Sequence, residues 1–333
     1  MKIEQRYYLG IDAGGSKTHA IVVDQTGAIL GAGRAGTGNW ESAGLEGAEG
    51  VYAQVLRDAL EMAGLHASDL CAAGYGLAGV DWPSDEQRLR PVIQTLGVPG
   101  PHALVNDAFA ALRAGSDENC GVAVISGTGV TVAGRNREGE RLRTFALGNQ
   151  WGDFGSASDI VRLATRAIAY SHLSRGPKTL LTARFVARFG ARDVPDMVER
   201  ITRGQAARPD GRLAPLVFAT AAEGDAVARR ILVDAAYELG YNTVAIARRL
   251  WLLREPFDLV LAGGVFRAGF PLFRDSIVEL VQSSAPLMRP VTLGGVPVVG
   301  AALLAMDAAG EEAGADVRRR LVEEAGRQPL LAE

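Results

Sequence analysis

A pattern of apolar strand, glycine turn and apolar strand occurs twice in this chain of 333 residues. It first spans residues 7–23, with its turn at Gly14, and it recurs over residues 121–133, with its turn at Gly127. The apolar runs beside each turn are short and rich in β-branched residues, which is typical of buried strands. Because an internal repeat indicates a duplicated fold, we expect two related α/β units whose glycine turns face each other.

The first glycine turn carries side chains that suit a nucleotide phosphate. Its glycines can adopt positive φ and let backbone N–H groups approach an anion closely. Asp12 ends the first strand, where a carboxylate can hold hydrated Mg²⁺. The alternative is an ordinary β-hairpin with a polar turn, since the spacing matches neither a Walker A loop nor a dinucleotide-binding fingerprint. The turn residues assigned to phosphate binding are Gly14, Gly15, Ser16, Lys17 and Thr18.

Composition and charge narrow the class of protein. A hydrophobic fraction of 48%, a charged fraction of 22% and a net charge of −3 are typical of a globular protein with a sizeable core. Nucleic acid is not an expected partner, because the sequence has no basic run interleaved with aromatic residues. No membrane span or signal peptide is visible, and Cys71 and Cys120 form no CxxC pair. We therefore expect a cytoplasmic protein with reduced thiols.

Further segments place polar or glycine residues at the ends of strands, where α/β sheets bind ligands. Asp107 follows a short apolar run and begins a helix, so it is either a carboxylate facing a cleft or only the N-cap of that helix. Residues 257–262 form a buried strand that ends in a third glycine turn at Gly263. Two polar glycine loops, residues 35–40 and 147–156, each precede a predicted helix.

Four motifs occur in an order and at separations that resemble the actin, hexokinase and Hsp70 ATPase superfamily. They are residues 12–18, 106–107, 126–129 and 261–265. Within that superfamily the chain is similar to the BadF/BadG/BcrA/BcrD ATPase family, which includes the N-acetylglucosamine kinases. The resemblance covers nearly the whole chain. It implies an α/β fold of duplicated RNase H-like (actin-like ATPase) domains with an interdomain cleft.

The resemblance also implies domain boundaries. Residues 1–117 plus 297–333 would form the N-terminal domain, and residues 118–296 would form the C-terminal domain. The helices that contain Asp107 and Gly300 would cross at the hinge between them. We expect the domains to close around both ligands, because the site is divided between the halves and water must be excluded.

For the site, the resemblance implies ATP and Mg²⁺ as cofactors and phosphorylation of the 6-hydroxyl of an amino sugar, foremost N-acetyl-D-glucosamine. Asp107 would be the catalytic base, since phosphoryl transfer depends on positioning and a carboxylate can orient the sugar hydroxyl and accept its proton. Asp12 would hold the metal. The nucleotide would contact Asp12, Gly14, Gly15, Ser16, Lys17, Thr18, Gly127, Thr128, Gly129, Gly263, Gly264 and Val265. The sugar would contact Asn39, Trp40, Asp107, Thr128 and Asp153.

Three departures from the family pattern affect the choice of sugar. Phe154 stands where family kinases commonly have Glu, and Val130 stands where they often have Ser. Ala78 replaces a hydroxyl that some members place near the sugar. Each change is expected to remove a polar contact from the pocket, and such losses shift specificity by orders of magnitude. Glucosamine, N-acetylmuramate and other hexoses are therefore alternative substrates.

Two other functions occur on this fold. One branch of the family activates radical dehydratases through an iron–sulfur cluster that needs a cysteine pair at a dimer interface. Cys120 has no second cysteine downstream, which argues against that branch. A non-catalytic nucleotide-binding regulator would leave Asp107 unexplained, and no DNA-binding extension is visible. We therefore expect a sugar kinase acting on a small molecule, and the family suggests a homodimer.

Overall fold

The computed structural model describes residues 5–267, 270–294, 297–311 and 313–331. The strands are β1 (Tyr7–Ala13), β2 (Thr18–Asp24), β3 (Ile29–Ala35), β4 (Leu70–Leu77), β5 (His102–Asn106), β6 (Gly121–Ser126), β7 (Val130–Arg135), β8 (Arg141–Arg143), β9 (Phe257–Ala262) and β10 (Met288–Thr292). The α-helices are α1 (Trp40–Ala63), α2 (Pro83–Gln94), α3 (Asp107–Gly115), α4 (Ala157–His172), α5 (Leu180–Arg188), α6 (Val194–Thr202), α7 (Ala214–Ala222), α8 (Ala226–Arg249), α9 (Gly264–Arg267), α10 (Pro271–Ser284), α11 (Val298–Ala308) and α12 (Ala315–Arg327).

The strands form two five-stranded sheets of the same topology. The order is β3-β2-β1-β4-β5 in the first sheet and β8-β7-β6-β9-β10 in the second. In each sheet the first three strands along the chain pair in antiparallel fashion, and the next two add in parallel. The predicted glycine turns at Gly14 and Gly127 each join the first two strands of their sheet. The duplicated α/β fold predicted from the repeat is therefore confirmed.

The first sheet is buried on both faces. Successive residues of β1 face opposite sides: Tyr8 lies in a core shared with Val299 of α11, whereas Leu9 lies in a core shared with Val55 of α1. A strand covered on both faces needs apolar residues at every position, which accounts for the continuous apolar run in the sequence. Around the second sheet, helices α4–α8 and α10 enclose one large apolar core.

Two helices connect the halves of the molecule. Helix α3 packs against β6 and β7 of the second sheet, whereas α11 packs on β1 and β4 of the first. The helices cross at Gly300, where an added Cβ would lie 1.8 Å from the carbonyl oxygen of Ala110. Near the other end of α3, the buried Arg113 donates two hydrogen bonds to the Asp307 carboxylate, at 2.8 and 3.0 Å. A close backbone contact and a buried ion pair thus fix the crossing.

The C-terminal helix α12 packs on the core although its sequence is rich in charged residues. In α12, Leu321 and Ala325 are buried in the core beside α11, and Val317 packs against the same cluster. These residues are spaced four apart, so a charged sequence still presents one apolar face. The final turn also returns to the core through the buried Leu331.

We propose residues 1–117 plus 297–333 and residues 118–296 as the two domains. They are called the first and second domain below, after their sheets. Of these ranges, residues 1–4, 268–269, 295–296, 312 and 332–333 lie outside the described residues. Within the described part of the chain, each helix is too short or too polar to traverse a lipid bilayer.

We expect Gly300→Ala to lower the free energy of unfolding by about 2 kcal/mol or more, because the methyl group would overlap the carbonyl oxygen of Ala110. Gly326→Ala in α12 is the matched control, since its Cβ would enter open space and alanine favours the helix. Urea denaturation followed by circular dichroism measures both. Equal stability of Gly300→Ala and the wild type would contradict the close crossing.

Candidate active site

Asp12 and Asp107 meet at the carboxyl ends of β1 and β5. Both lie beside Gly76 of β4, the strand between them: a Cβ added at Gly76 would lie 3.7 Å from the Cα of Asp107 and 3.8 Å from Oδ1 of Asp12. Both aspartates are half-buried. Residues 95 positions apart in the sequence therefore form one acidic edge of the first sheet.

Asp107 is the first residue of α3 and does not cap it. The cap is Asn106, whose Oδ1 accepts a hydrogen bond from the backbone N–H of Ala108 at 3.1 Å. The alternative that Asp107 serves only as the N-cap is therefore wrong. Burial and the nearby Asp81 carboxylate raise the pKa of Asp107 to about 6, against the opposing effects of the Ala108 N–H and the Arg143 guanidinium.

A cavity of about 550 Å³ opens between the glycine turns of the two sheets. Its size lies within the range of small-molecule sites. An added Cβ at Gly127 would lie 3.8 Å from the backbone nitrogen of Gly264, so the second and third turns are neighbours. Gly263 has φ +102°, and its Cβ would lie 2.3 Å from the carbonyl oxygen of Ser126, so only glycine fits there. The predicted residues that line the cavity are Ser16, Gly127, Thr128, Gly264 and Val265.

The other residues of the first two turns shape the backbone beside this cavity. The Gly14 N–H donates to the Lys17 carbonyl at 2.9 Å, and the Gly127 N–H donates to the Gly129 carbonyl at 2.9 Å. Thr18 is buried, and its hydroxyl donates to the Gly36 carbonyl at 2.9 Å. Thr18 therefore fixes the turn against the next loop. Gly15, like Ser16, is exposed at the tip of the turn.

Sequence reasoning missed one wall of the cavity. It consists of Asp210, Gly211 and Arg212 before α7, with Ala214, Pro215 and Phe218 from α7 and Ala157 and Ser158 from α4. The Asp-Gly pair is a turn signal that was visible in the sequence. Nothing local shows that this turn, more than 80 residues beyond Thr128, lies beside the glycine turns.

The loop before α1 is attached to the first glycine turn through the Thr37 hydroxyl, which donates to the Gly14 carbonyl at 3.2 Å. Asn39 caps α1, and its Oδ1 accepts from the N–H of Glu41 at 2.9 Å. Trp40 donates its indole N–H to the Gly79 carbonyl at 2.8 Å. Asn39 and Trp40, which are both predicted to contact the sugar, therefore also orient this loop.

Asp153 presents a carboxylate oxygen that no described residue satisfies. The side chain is 2% exposed, and its Oδ2 accepts from the N–H of Leu147 at 2.9 Å, whereas Oδ1 has no hydrogen-bond partner. The loop is held against the second glycine turn, because the Ala157 N–H donates to the Gly127 carbonyl at 2.9 Å. A buried acceptor without a donor is costly, so Oδ1 suits a hydroxyl group of a ligand.

The three residues that depart from the family pattern, Val130, Phe154 and Ala78, lie in different surroundings. Val130 is buried in the core of the second domain, and Phe154 packs against the same core beneath Arg162, whose guanidinium lies 5.6 Å from the ring centroid. The expected loss of a pocket contact is therefore wrong for Val130, whose side chain belongs to the core. Ala78 is half-buried next to the first turn, where its N–H donates to the Ala13 carbonyl at 2.8 Å.

The described residues contain no group of three or more His, Cys, Asp or Glu side chains arranged around a metal ion. Mg²⁺ that accompanies a nucleotide takes most of its ligands from phosphates and water, and one or two carboxylates suffice. Asp12 offers such a carboxylate beside the first glycine turn. Its hard oxygen donors and half-buried position fit that metal.

Comparison with known proteins supports a family assignment. The sequence profile of the BadF/BadG/BcrA/BcrD ATPase family matches residues 9–305. An N-acetylmuramic acid/N-acetylglucosamine kinase of Clostridium acetobutylicum is 30% identical over 301 residues, covering 90% of this chain and 98% of that protein. An N-acetyl-D-glucosamine kinase of Dictyostelium discoideum is 29% identical over 318 residues, covering 92% of this chain and 99% of that protein.

A solved structure from Chromobacterium violaceum, provisionally assigned as an N-acetylglucosamine kinase, has the same fold. It is 26% identical, with a TM-score of 0.66 over 90% of this chain and 98% of that one.

We expect Asp107→Asn to stabilise the fold at pH 8 by about 3 kcal/mol. The pKa of Asp107 lies at about 6, above its ordinary 3.8, so ionisation costs the folded state stability as the pH rises through that window. The gain should vanish below about pH 3, where the carboxyl is protonated in both states. Urea denaturation at both pH values measures it, with Asp58→Asn on the exposed face of α1 as the control. A stability gain independent of pH would contradict the raised pKa.

Proposed function

Because this chain belongs to the BadF/BadG/BcrA/BcrD ATPase family, we propose that it is an ATP-dependent kinase of an amino sugar, foremost N-acetyl-D-glucosamine, acting on the 6-hydroxyl. One observation carries the proposal: Asp12 and Asp107 share one sheet edge, and glycine turns of both domains line a single cavity. The names of the two curated relatives support the substrate class.

The cavity between the turns would hold the nucleotide. Backbone N–H groups of the turns at Ser16, Gly127 and Gly264 would surround the phosphates, where negative charge is favoured. The apolar wall of Val265 and Phe218 would contact the base. Bound Mg²⁺, with Asp12 as a protein ligand, would neutralise charge that develops on the phosphates.

Asp107 would act on the sugar hydroxyl. Its carboxylate accepts the hydroxyl proton as the sugar oxygen forms a bond to the γ-phosphorus, and the bond to the bridging oxygen breaks so that ADP leaves with the electron pair. A pKa of about 6 suits this role, because the group is ionised at neutral pH and still basic enough to take a proton. Asp153 would accept from another sugar hydroxyl through its unsatisfied Oδ1.

The choice of sugar is tested by measuring ADP release with N-acetylglucosamine, glucosamine, N-acetylmuramate and glucose. Nuclear magnetic resonance of the product locates the phosphate on the sugar. We expect the highest kcat/KM with N-acetylglucosamine and phosphate on O6. Preference for a sugar without the acetamido group would move the assignment to one of the alternative hexoses, and ADP release with none of them would contradict the kinase.

The packing of the cysteines disfavours a dehydratase activator. Cys120 is buried, and Cys71, the other cysteine of the chain, lies in β4 of the first domain. Cys71 lies in the first sheet and Cys120 directly precedes β6 of the second, so the two thiols provide no pair for a shared cluster. A homodimeric assembly and a cytoplasmic location are further proposals, which rest on the family resemblance; sedimentation equilibrium and cell fractionation test them.

We expect Asp107→Asn to lower kcat by roughly 10²- to 10⁴-fold while retaining ATP and sugar binding, because only proton acceptance is lost. Coupled ADP-release kinetics measure turnover, and isothermal titration calorimetry measures binding. Asp58→Asn is the matched control, since it removes an exposed carboxylate of α1. Turnover close to that of the wild type would remove Asp107 from the role of base.

We expect Asn39→Ser to raise the KM for N-acetylglucosamine about tenfold with a much smaller change in kcat, because the amide that would contact the sugar is lost. Serine is itself a favoured N-cap, so α1 keeps its cap and the comparison isolates the amide. Steady-state kinetics with varied sugar measure the effect, and thermal unfolding verifies the fold. An unchanged KM would place Asn39 outside the sugar site.

A further inference from the structure

A buried ion pair crosses the cleft beside the candidate base. Arg143 of β8, in the second domain, lies 3.2 Å from Oδ1 of Asp81, which follows β4 in the first domain. The two side chains are only 12% and 10% exposed. Arg143 also donates to the backbone carbonyl of Asp81 and, at 2.8 Å, to that of Thr144. One guanidinium is thus anchored to its own domain and to the opposite one.

Asp81 is connected to the start of α3 through Asn106. The Nδ2 of Asn106 donates to Oδ1 of Asp81 at 2.9 Å, and Oδ1 of Asn106 accepts the N–H of Ala108 at 3.1 Å. Asp107 is the residue between Asn106 and Ala108. The orientation of the Asn106 cap, and with it the first turn of α3, therefore depends on Asp81.

The loop that bears Asp81 is itself held in place. The buried Asp85 accepts hydrogen bonds from the N–H groups of Asp81 and Trp82 at 3.0 and 2.8 Å. The Trp82 ring stacks on Phe145 of the second domain, with centroids 6.2 Å apart and planes at 28°. A second contact thus joins the domains next to the ion pair.

The charges of the pair act on Asp107 in opposite directions. The Asp81 carboxylate raises the pKa of Asp107, and the Arg143 guanidinium lowers it. Asp12 on β1 is the other carboxylate at this edge of the sheet. Burial raises the pKa of Asp81 itself, and the Arg143 guanidinium opposes that rise.

We propose that Asp81 and Arg143 are positioning residues for the transfer reaction: their ion pair forms across the closed cleft and, through Asn106, aligns Asp107 with the acceptor hydroxyl. The proposal rests on the kinase function proposed above. It predicts a defect in the chemical step, because the two residues support the base and not the ligands. Alignment of a catalytic group is sensitive to small displacements, which gives the effect its size.

A double-mutant cycle tests the pair with Asp81→Asn, Arg143→Gln and the double variant. Each single change should lower kcat about tenfold with KM for ATP and sugar within about threefold, and the double variant should be no slower than the singles. Asp81→Asn keeps an oxygen that can accept the hydrogen bond from Asn106. A lower kcat in this variant therefore reports the loss of the ion pair. The proposal would be overturned if the loss of kcat in the double variant equalled the product of the two single losses, or if the single variants were as fast as the wild type.

The pH dependence of kcat/KM gives a second readout that a purely structural role would not move. Relative to the wild type, Asp81→Asn should shift the acidic limb to lower pH and Arg143→Gln should shift it to higher pH, each by roughly half a unit or more. Ionisation of ATP is common to all variants and cancels in the comparison. Shifts in the same direction would contradict the arrangement of charges around Asp107.

Two control variants separate the possible causes of a lower kcat in the Asp81 and Arg143 variants. Arg137→Gln removes an exposed ion pair with Glu118 at the turn before β8, and it should leave kcat unchanged. Arg143→Lys keeps the charge but not the branched donors, so it should give an intermediate kcat with the acidic limb unshifted. If Asp107→Asn is inactive while Asp81 and Arg143 variants are fully active, only the positioning proposal fails. If Asp107→Asn retains activity, the kinase mechanism itself fails.

Discussion

The close crossing of α3 and α11 is the constraint on which the rest of the structure depends. The backbones approach so closely at Gly300 that no side chain fits between them and Ala110. Helix α11 lies on the first sheet and α3 against the second, so this contact fixes how the two sheets face each other. Arg113 secures the same crossing by donating to Asp307 and to the Ser116 carbonyl, where the chain passes between the domains. The crossing therefore fixes the orientation of the two sheets on either side of the cleft.

Helix α3 combines the hinge and the candidate base in nine residues. Asp107 opens the helix at the cleft, and Arg113 lies near its other end among the hinge contacts. A rotation of the domains about this helix therefore changes the surroundings of the carboxylate directly. In the proposed kinase, domain closure would exclude water from Asp107 and bring Arg143 toward it. The candidate base therefore lies on the element about which the domains would move.

The sequence predicted the fold where local pattern determines structure. The apolar runs, the glycine turns and the repeat at residues 7–23 and 121–133 are short-range features, and the sheets follow them. Contacts without a local signature were missed. The Asp81–Arg143 pair joins residues 62 positions apart on different domains, and the turn at Asp210 lines the cavity through its packing against α4 and α7. The charged residues of α12 outnumber its apolar positions, which recur about once per turn and contact the core.

Specificity for the sugar depends on which polar groups face the cleft. Val130 is enclosed by the core of the second domain, so an apolar side chain at this position contributes to packing. The buried Oδ1 of Asp153 differs, because it has no donor among the described residues and could accept a hydrogen bond from a ligand hydroxyl group. A site that leaves such an acceptor unpaired strongly disfavours ligands without that hydroxyl. Discrimination between related sugars is therefore expected to come from Asp153 and the loop at Asn39, and less from the apolar Val130.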